Sequence, residues 1–384
     1  SASDAGVCSA GSIVMLPSAL EFGEVAAGCA LVRPLTVWNR CSVVQTLSIT
    51  APTPFSAPSS LTVPALGVVE LPVRFSPPTL GARQATLTLS SSAGGLFSVS
   101  LRGVGAMSAD VTDTFSSAAV PLNDTLFVMS NGPGMAATQQ WLSSSVPGLL
   151  QYWVSSNVDY RLAVIAGSAD GGGLVQESPS APVVLTAATP MLQQRVAQKL
   201  SLGEMGAGTQ SCLARATEVL SADAGWLRPN AGLGIICVQN SLEQLAGDAP
   251  AWTRVLGAVA GKAPGQLVVS AIGRFTPGCT APDDAALRAA VGSTFGATQS
   301  ICAPDGGLAP PAFGFRTSFS LSSPGPADGG FDVQVDGIAV PYLDGQNLPT
   351  WSFDVARNAF LLEPLYALEP GKTLTVRYRP ACTP

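Results

Sequence analysis

Almost every apolar run in this chain is short and closed by Gly or Pro, of which there are 40 and 31 in 384 residues. Pro breaks a helix interior and Gly weakens one, so such spacing favours many short strands joined by turns. No apolar run approaches the roughly 18–20 residues that span a bilayer as a helix. The 47% hydrophobic content therefore reads as buried strands. Charged residues are 11% of the chain, against about 25% in an ordinary soluble domain. Hydrophobicity this high is not that of a disordered chain. The net charge of −6 excludes nucleic acid as a natural partner, because phosphate binding needs clustered Lys and Arg. The length suits two or three domains.

There is no His. Ser-His-Asp and Cys-His nucleophile pairs cannot be built, nor can His-ligated zinc or haem. The eight Cys include no C-x-x-C pair, so disulfides are expected rather than a zinc ribbon. Cys29 and Cys41 bracket a short strand and are expected to pair. Cys279 and Cys302 flank one helix-like segment and could tie its ends. Cys212 on a helix and Cys237 in a strand could staple helix to sheet, or be two inert buried thiols. Cys8 and Cys382 remain as a terminus-to-terminus pair. Disulfides imply an oxidising compartment. The chain starts at Ser1 without Met or an apolar leader. The expectation is an exported product with its signal removed, extracellular or at the cell surface rather than periplasmic. A trimmed chain is the alternative, and a lipid anchor upstream of Ser1 stays open.

Residues 1–11 read as an N-terminal arm and residues 12–106 as all-β. Leu35–Trp38, Thr46–Ile49, Leu71–Phe75, Ala85–Leu89 and Phe97–Leu101 are short strands at the spacing of a β-sandwich. Ordered motifs run through this part: Leu20-Glu21-Phe22-Gly23-Glu24-Val25, Gly28, Asn39, Val73-Arg74-Phe75-Ser76-Pro77, Gly81 and Leu101-Arg102-Gly103-Val104-Gly105. On these residues it resembles the abnormal-spindle/hydin (ASH) type of immunoglobulin-like domain, of the choice-of-anchor D kind. The resemblance implies a scaffold or interaction module without catalytic residues, with Phe22, Phe55 and Phe75 as core plugs.

Residues 107–312 alternate helical and strand patterns, the signature of an α/β sheet. Thr125–Met129, Tyr160–Ala166, Gly232–Val238 and Leu267–Ile272 are apolar strands, and Val183–Thr186 could be another. Met135–Ser156, Thr209–Leu220, Trp252–Val259 and Asp284–Val291 fit helices, the first with a possible kink at Pro147. The stretches Leu126-Phe127-Val128, Val158–Val164, Val184–Pro190, Gly206–Thr209 and Gly225–Ala231 resemble a bacterial von Willebrand factor A domain. That resemblance implies a doubly wound sheet. Residues 313–384 return to strand patterning, with Phe315–Leu321, Phe331–Val335, Trp351–Phe353, Ala359–Leu362 and Thr373–Tyr378, and turns at Asp336-Gly337 and Asp344-Gly345. They resemble the small β domain that often follows the A domain. The expected fold class is multidomain, β plus α/β.

The A-domain resemblance also implies a divalent-cation site, Asp-x-Ser-x-Ser after the first strand with a later Thr and Asp. Here Ser130 stands at the Asp position, Gly132 and Gly134 at the Ser positions, and neutral Gln239-Asn240 near the later acid. Thr209 alone matches. Mg²⁺ needs carboxylate charge as well as oxygens, so the degenerate set Ser130, Gly132, Gly134, Thr209 and Asn240 is expected to bind metal weakly or not at all. No cofactor is expected. Asp124 precedes the strand and should point away from the cleft.

The same turn, Gly132-Pro133-Gly134-Met135-Ala136-Ala137, fits a G-x-G-x-x-A dinucleotide fingerprint, but no acidic residue follows at the second strand's tip. Gly371-Lys372-Thr373 lacks the upstream Gly of a phosphate loop and reads as a strand entry. Asp283-Asp284 suit a helix start. Asp332, Asp336, Asp344 and Asp354 could gather on Ca²⁺ but suit turns better. Asn123-Asp124-Thr125 is a glycosylation sequon at a strand start, and Trp141 and Trp153 read as core. Asp159, Asp170, Glu177 and Glu204 form no catalytic pair by spacing.

Three functions follow in order. The first is a non-enzymatic surface scaffold or assembly subunit whose partners are proteins, including copies of itself; few charges leave little repulsion between copies. The second is a monomeric adhesin that binds at the A-domain edge with little metal dependence. The third is an enzyme built on a buried carboxylate pair.

Overall fold

The computed structural model describes residues 12–302 and 318–382, apart from 92–93, 108–109, 118–121, 156–157, 208–209, 263–264, 276–278, 280–281, 327–328, 356–357, 364–365, 367 and 370. Nine strands form the first unit: β1 (Ile13–Leu16), β2 (Ala19–Ala26), β3 (Leu31–Asn39), β4 (Gln45–Thr50), β5 (Phe55–Ser56), β6 (Ser60–Val63), β7 (Val68–Phe75), β8 (Gly81–Ser91) and β9 (Leu96–Ala106). They make two sheets, β1-β3-β7-β5 and β2-β9-β8-β4-β6, packed as an Ig-like sandwich. Apolar residues alternate inward along each strand. Between the sheets lie Phe22, Phe55 and Phe75, with ring centroids 4.7–5.5 Å apart. Asn39 is buried at the end of β3. Its Nδ2 donates to the carbonyls of Val43 and Pro64, and its Oδ1 accepts from Cys41 N, so it fixes the corner after β3.

β10 (Val111–Ser116) comes next, then the α/β unit: β11 (Leu122–Met129), α1 (Ala136–Ser155), β12 (Asp159–Ala166), β13 (Leu185–Thr186), α2 (Leu192–Leu200), α3 (Cys212–Ala222), β14 (Gly232–Val238), α4 (Ala249–Val259), β15 (Leu267–Gly273), α5 (Ala285–Ser293) and β16 (Thr298–Ser300). The sheet order is β13-β12-β11-β14-β15-β16, parallel except for the edge strand β13. This is a doubly wound α/β sheet. Continuous apolar strands serve both faces: Leu126 and Val128 pack toward α3, α4 and α5, Phe127 and Met129 toward α1 and α2. Pro147 sits inside α1 without ending it. The sequence reading missed α2, whose Gln193, Gln194 and Arg195 dilute its apolar stripe.

The last unit holds β17 (Ser318–Ser320), β18 (Phe331–Val335), β19 (Ile338–Ala339), β20 (Trp351–Asp354), β21 (Ala359–Leu362) and β22 (Thr373–Tyr378). Phe319, Phe331, Trp351 and Phe360 fill its core. Asp336 and Gly337 both take positive φ, as a tight hairpin requires. One boundary needs correction. β10, expected in the α/β unit, pairs antiparallel with β22 from Val111↔Tyr378 to Ser116↔Thr373. Its half-buried alternation suits a two-layer antiparallel sheet, not a parallel strand buried on both faces. The expected start of Phe315–Leu321 lies outside the described residues.

Disulfides and one tight joint fasten these units. Cys29 bonds Cys382, Cα–Cα 5.1 Å, which corrects the expected pairs Cys29–Cys41 and Cys8–Cys382. Spacing favoured the local partner, but the fold brings the C-terminal tail to the head of β3. Beside that bond Arg33 of β3 donates to the Ser322 carbonyl. Cys41 is disulfide-bonded, though not to Cys29; Cys8 and the rest of the arm lie outside the described residues. Cys212 bonds Cys237, joining α3 to β14, and Cys279 bonds Cys302 across α5.

At the joint, Val68 N donates to Ala246 O at 3.0 Å and Asp248 N to Val68 O at 2.8 Å. Trp38 meets Trp252 edge-on at 6.4 Å, and Arg254 pairs with Glu70. Val68, a sandwich residue, belongs to the same buried cluster as Val255 and Leu256. Gly247 sits between with φ +94°, and a Cβ there would collide with the Val68 carbonyl. Gly247→Ala is therefore expected to cost about 1–3 kcal/mol. Chemical denaturation monitored by Trp fluorescence checks this; an unchanged midpoint would refute it.

Candidate functional site

In a doubly wound sheet, ligands bind outside the strand C-termini where the strand order reverses, here between β11 and β14. The chain leaves β11 into Ser130-Asn131-Gly132-Pro133-Gly134 and leaves β14 into Gln239-Asn240. Ser130 is buried, its N–H donating to Val238 O at 2.7 Å. Asn240 Nδ2 donates to Pro133 O at 2.9 Å. Gly134 has φ +84°, and a Cβ there would stand 3.1 Å from Asn240 Nδ2, so a Ser in its place would be strained. Thr209 lies outside the described residues. Ser130, Gly132, Gly134 and Asn240 thus share one crevice and bring no charge to it.

The crevice holds a side chain that sequence reasoning did not single out. Gln210 accepts the Ser130 hydroxyl at Oε1, 3.2 Å away, and packs against the Cα faces of Gly132 and Gly167. A second glutamine, Gln139 on α1, donates to Ser130 O (3.1 Å) and Gly203 O (2.8 Å) and accepts from Gly203 N (2.9 Å). The only signal for Gln139 was a polar residue on an apolar helix face. For Gln210 there was none beyond its place after the Thr209 position.

The other candidates resolve locally. Glu204 Oε1 accepts from Ala136 N at 2.8 Å, so a carboxylate of the chain already sits at the start of α1, where a dinucleotide phosphate would have to bind. Asp170 is exposed and accepts from Ala207 N; the nearby Ser168 side chain and that bond hold its carboxyl below the usual range. Glu177 faces Lys199, whose ammonium burial pushes down. Asp336 pairs with Lys372 at 2.9 Å, and Asp344 accepts from Gln346 N, Leu348 N and Tyr366 Oη. Among the described residues no three His, Cys, Asp or Glu side chains converge as metal ligands. Asn123 is fully buried, which leaves its sequon inaccessible, and Trp153 is core.

Glu243 and Asp284 form the buried carboxylate pair that spacing did not reveal. Glu243 accepts from Ser211 Oγ (2.5 Å), Cys212 N (2.9 Å) and Leu213 N (3.2 Å), capping α3. Asp284 accepts from Gln239 Nε2, Glu243 N and Leu287 N, capping α5. The Glu243 oxygens and Asp284 Oδ1 are committed to helix starts, and Asp284 Oδ2 to Gln239 Nε2 and Glu243 N. Burial pushes the Glu243 carboxyl up despite its three donors. A raised folded-state value gives stability that is full below the ordinary Glu range and is lost as pH rises through the folded value. The parent is therefore expected to lose stability relative to Glu243→Gln as pH rises above the ordinary carboxylate range. Urea midpoints of both chains test this, and parallel pH profiles would contradict it.

Asp124 lies at the opposite edge of the sheet, as expected, and is fully buried. Arg228 donates to it from N (2.6 Å) and Nε (2.9 Å), and Lys262 Nζ is 4.0 Å away. Arg228 also pairs with Asp159 at 2.9 Å. Lys262 donates to the carbonyls of Arg228 and Ala231. The cluster pins the segment before β14 to the sheet.

No family model matches the sequence, and no curated protein matches it. Solved structures match parts of it. The ASH/PapD-like domain 7 of human CEP192 aligns at TM-score 0.24 and 10% identity, over 26% of this chain and 87% of that one. Proximal thread matrix protein 1 from mussel byssus, with a zinc-occupied MIDAS motif, aligns at TM-score 0.33 and 10% identity, over 51% of this chain and 45% of that one. The VesB protease of Vibrio cholerae aligns at TM-score 0.21 and 15% identity over 24% of this chain and 32% of that one. This chain spans less than half of the mussel and Vibrio structures. Likenesses this partial carry no argument about activity.

Proposed function

We propose that this chain is a non-enzymatic structural subunit of an extracellular or cell-surface assembly, acting through protein–protein contacts. The observation that carries the reading is the Cys29–Cys382 bond, which closes the C-terminal tail onto the sandwich. With the Val68–Gly247 joint, it makes three modules one cross-linked body. That construction suits an oxidising compartment and a part that must hold its shape. The crevice supports the same reading, being uncharged and filled by the chain's own Gln210. Among the described residues no helix is long and apolar enough to cross a membrane.

Light scattering on the oxidised protein, with and without Mg²⁺, tests the proposal. A mass well above 38.9 kDa and indifferent to Mg²⁺ is expected. A monomer at every concentration would refute assembly and favour the adhesin. That second reading draws on the crevice rim, where Met205 is 92% exposed. Saturable heat on Mg²⁺ titration would refute the metal-free crevice.

A further inference from the structure

We infer that the Cys29–Cys382 bond is a mechanical bypass: tension that enters the chain upstream of Cys29 and leaves it downstream of Cys382 skips residues 42–381. The connectivity carries the inference. After 353 positions the chain returns to Cys29, with the two Cα atoms 5.1 Å apart. A loop whose ends are tied together carries no tension when the chain is pulled outside it. Cys41 is disulfide-bonded as well, outside the three pairs described above. β3, which runs between Cys29 and Cys41, is therefore counted with the path and not with the bypassed residues. The sandwich strands from β4 onward, the whole α/β unit and the last unit lie inside the loop. The force path is left with β1, β2, β3 and the bond itself.

That path is laid out along the pull. Ser12 O accepts from Arg40 N at 2.8 Å, so the path enters beside the C-terminal end of β3. Cys29 lies just ahead of Leu31, at the other end of the same 9-residue strand, which spans about 30 Å. β1 runs antiparallel to β3 from Ile13↔Asn39 to Leu16↔Thr36, and β2 runs parallel to β9 as far as Ala26↔Ala106. A pull along these strands shears their ladders, so the hydrogen bonds share the force and do not open one by one. Leu20, Phe22 and Val25 of β2 are buried in the sandwich core, which holds the path in place. The Val68–Gly247 joint and the switch-point crevice lie inside the loop and keep their shape while the chain transmits tension. This goes beyond the structural-subunit reading and fails separately from it, because it holds for a monomer and an assembly alike.

The test is single-molecule pulling on the oxidised full chain through handles at its two ends, beside Cys29→Ser/Cys382→Ser. The oxidised parent should give no step longer than about 100 Å, the reach of residues 1–29. The variant brings residues 42–381 under tension. Its steps should sum to on the order of 1,000 Å, with Cys212–Cys237 and Cys279–Cys302 still closed. A longer step in the oxidised parent would overturn the proposal, and so would a variant that extends no further than the parent. The parent trace decides alone if the variant does not fold.

Discussion

Replacing Asp124 with alanine is expected to cost about 3–5 kcal/mol, the loss typical of breaking a buried ion pair from one side. The Asp124 and Lys262 side chains have no exposed surface, and that of Arg228 has 15%. Without the carboxylate, Lys262 keeps only backbone carbonyls as partners, and Arg228 keeps its pair with the exposed Asp159. Burial already pushes the Lys262 ammonium down, and Asp124 is the group that pulls it back up. Two further chains separate charge from packing. Asp124→Asn keeps the shape and should lose most of the same energy. Lys262→Met in the Asp124→Ala background should recover part of it, because removing the second charge removes the uncompensated burial. Urea denaturation measures all three, and an Asp124→Ala loss under about 1 kcal/mol would mean a solvated cluster.

The second large effect belongs to Cys29→Ser/Cys382→Ser. The bond joins residues 353 positions apart. In the chain-entropy view, closing so long a loop constrains the unfolded chain by about 6 kcal/mol. The double variant should lose stability of that order in the C-terminal module, with Cys212–Cys237 and Cys279–Cys302 intact. Its tail, held otherwise by the bond from Ala381 N to Pro324 O, should become an early protease target. A midpoint unmoved by the double substitution would show that noncovalent contacts such as Arg33 with the Ser322 carbonyl hold the C-terminal module without the bond.

What the sequence made legible was local. Gly232–Val238 and Leu267–Ile272 announced a sheet buried on both faces, because only such a sheet accepts unbroken apolar runs. The Cys212–Cys237 and Cys279–Cys302 bonds join elements adjacent in the chain. Cys29 has Cys41 close by in sequence and Cys382 close by in space, and spacing speaks only to the first. β10 failed for the same reason, since its partner β22 begins at Thr373. At the crevice, missing carboxylates could be read directly. That a glutamine would fill the space could not, because the direction of a loop side chain is set by the packing of three other loops. Glu243 and Asp284 were hidden likewise, brought together only by the helices they cap.

The most direct test of the single cross-linked body is calorimetry of the oxidised chain beside Cys29→Ser/Cys382→Ser. The expected result is one transition for the oxidised chain, with calorimetric and van't Hoff enthalpies in agreement, and separate transitions for the variant. Two or more resolved transitions in the oxidised chain would contradict the account, because the modules would then unfold as independent beads.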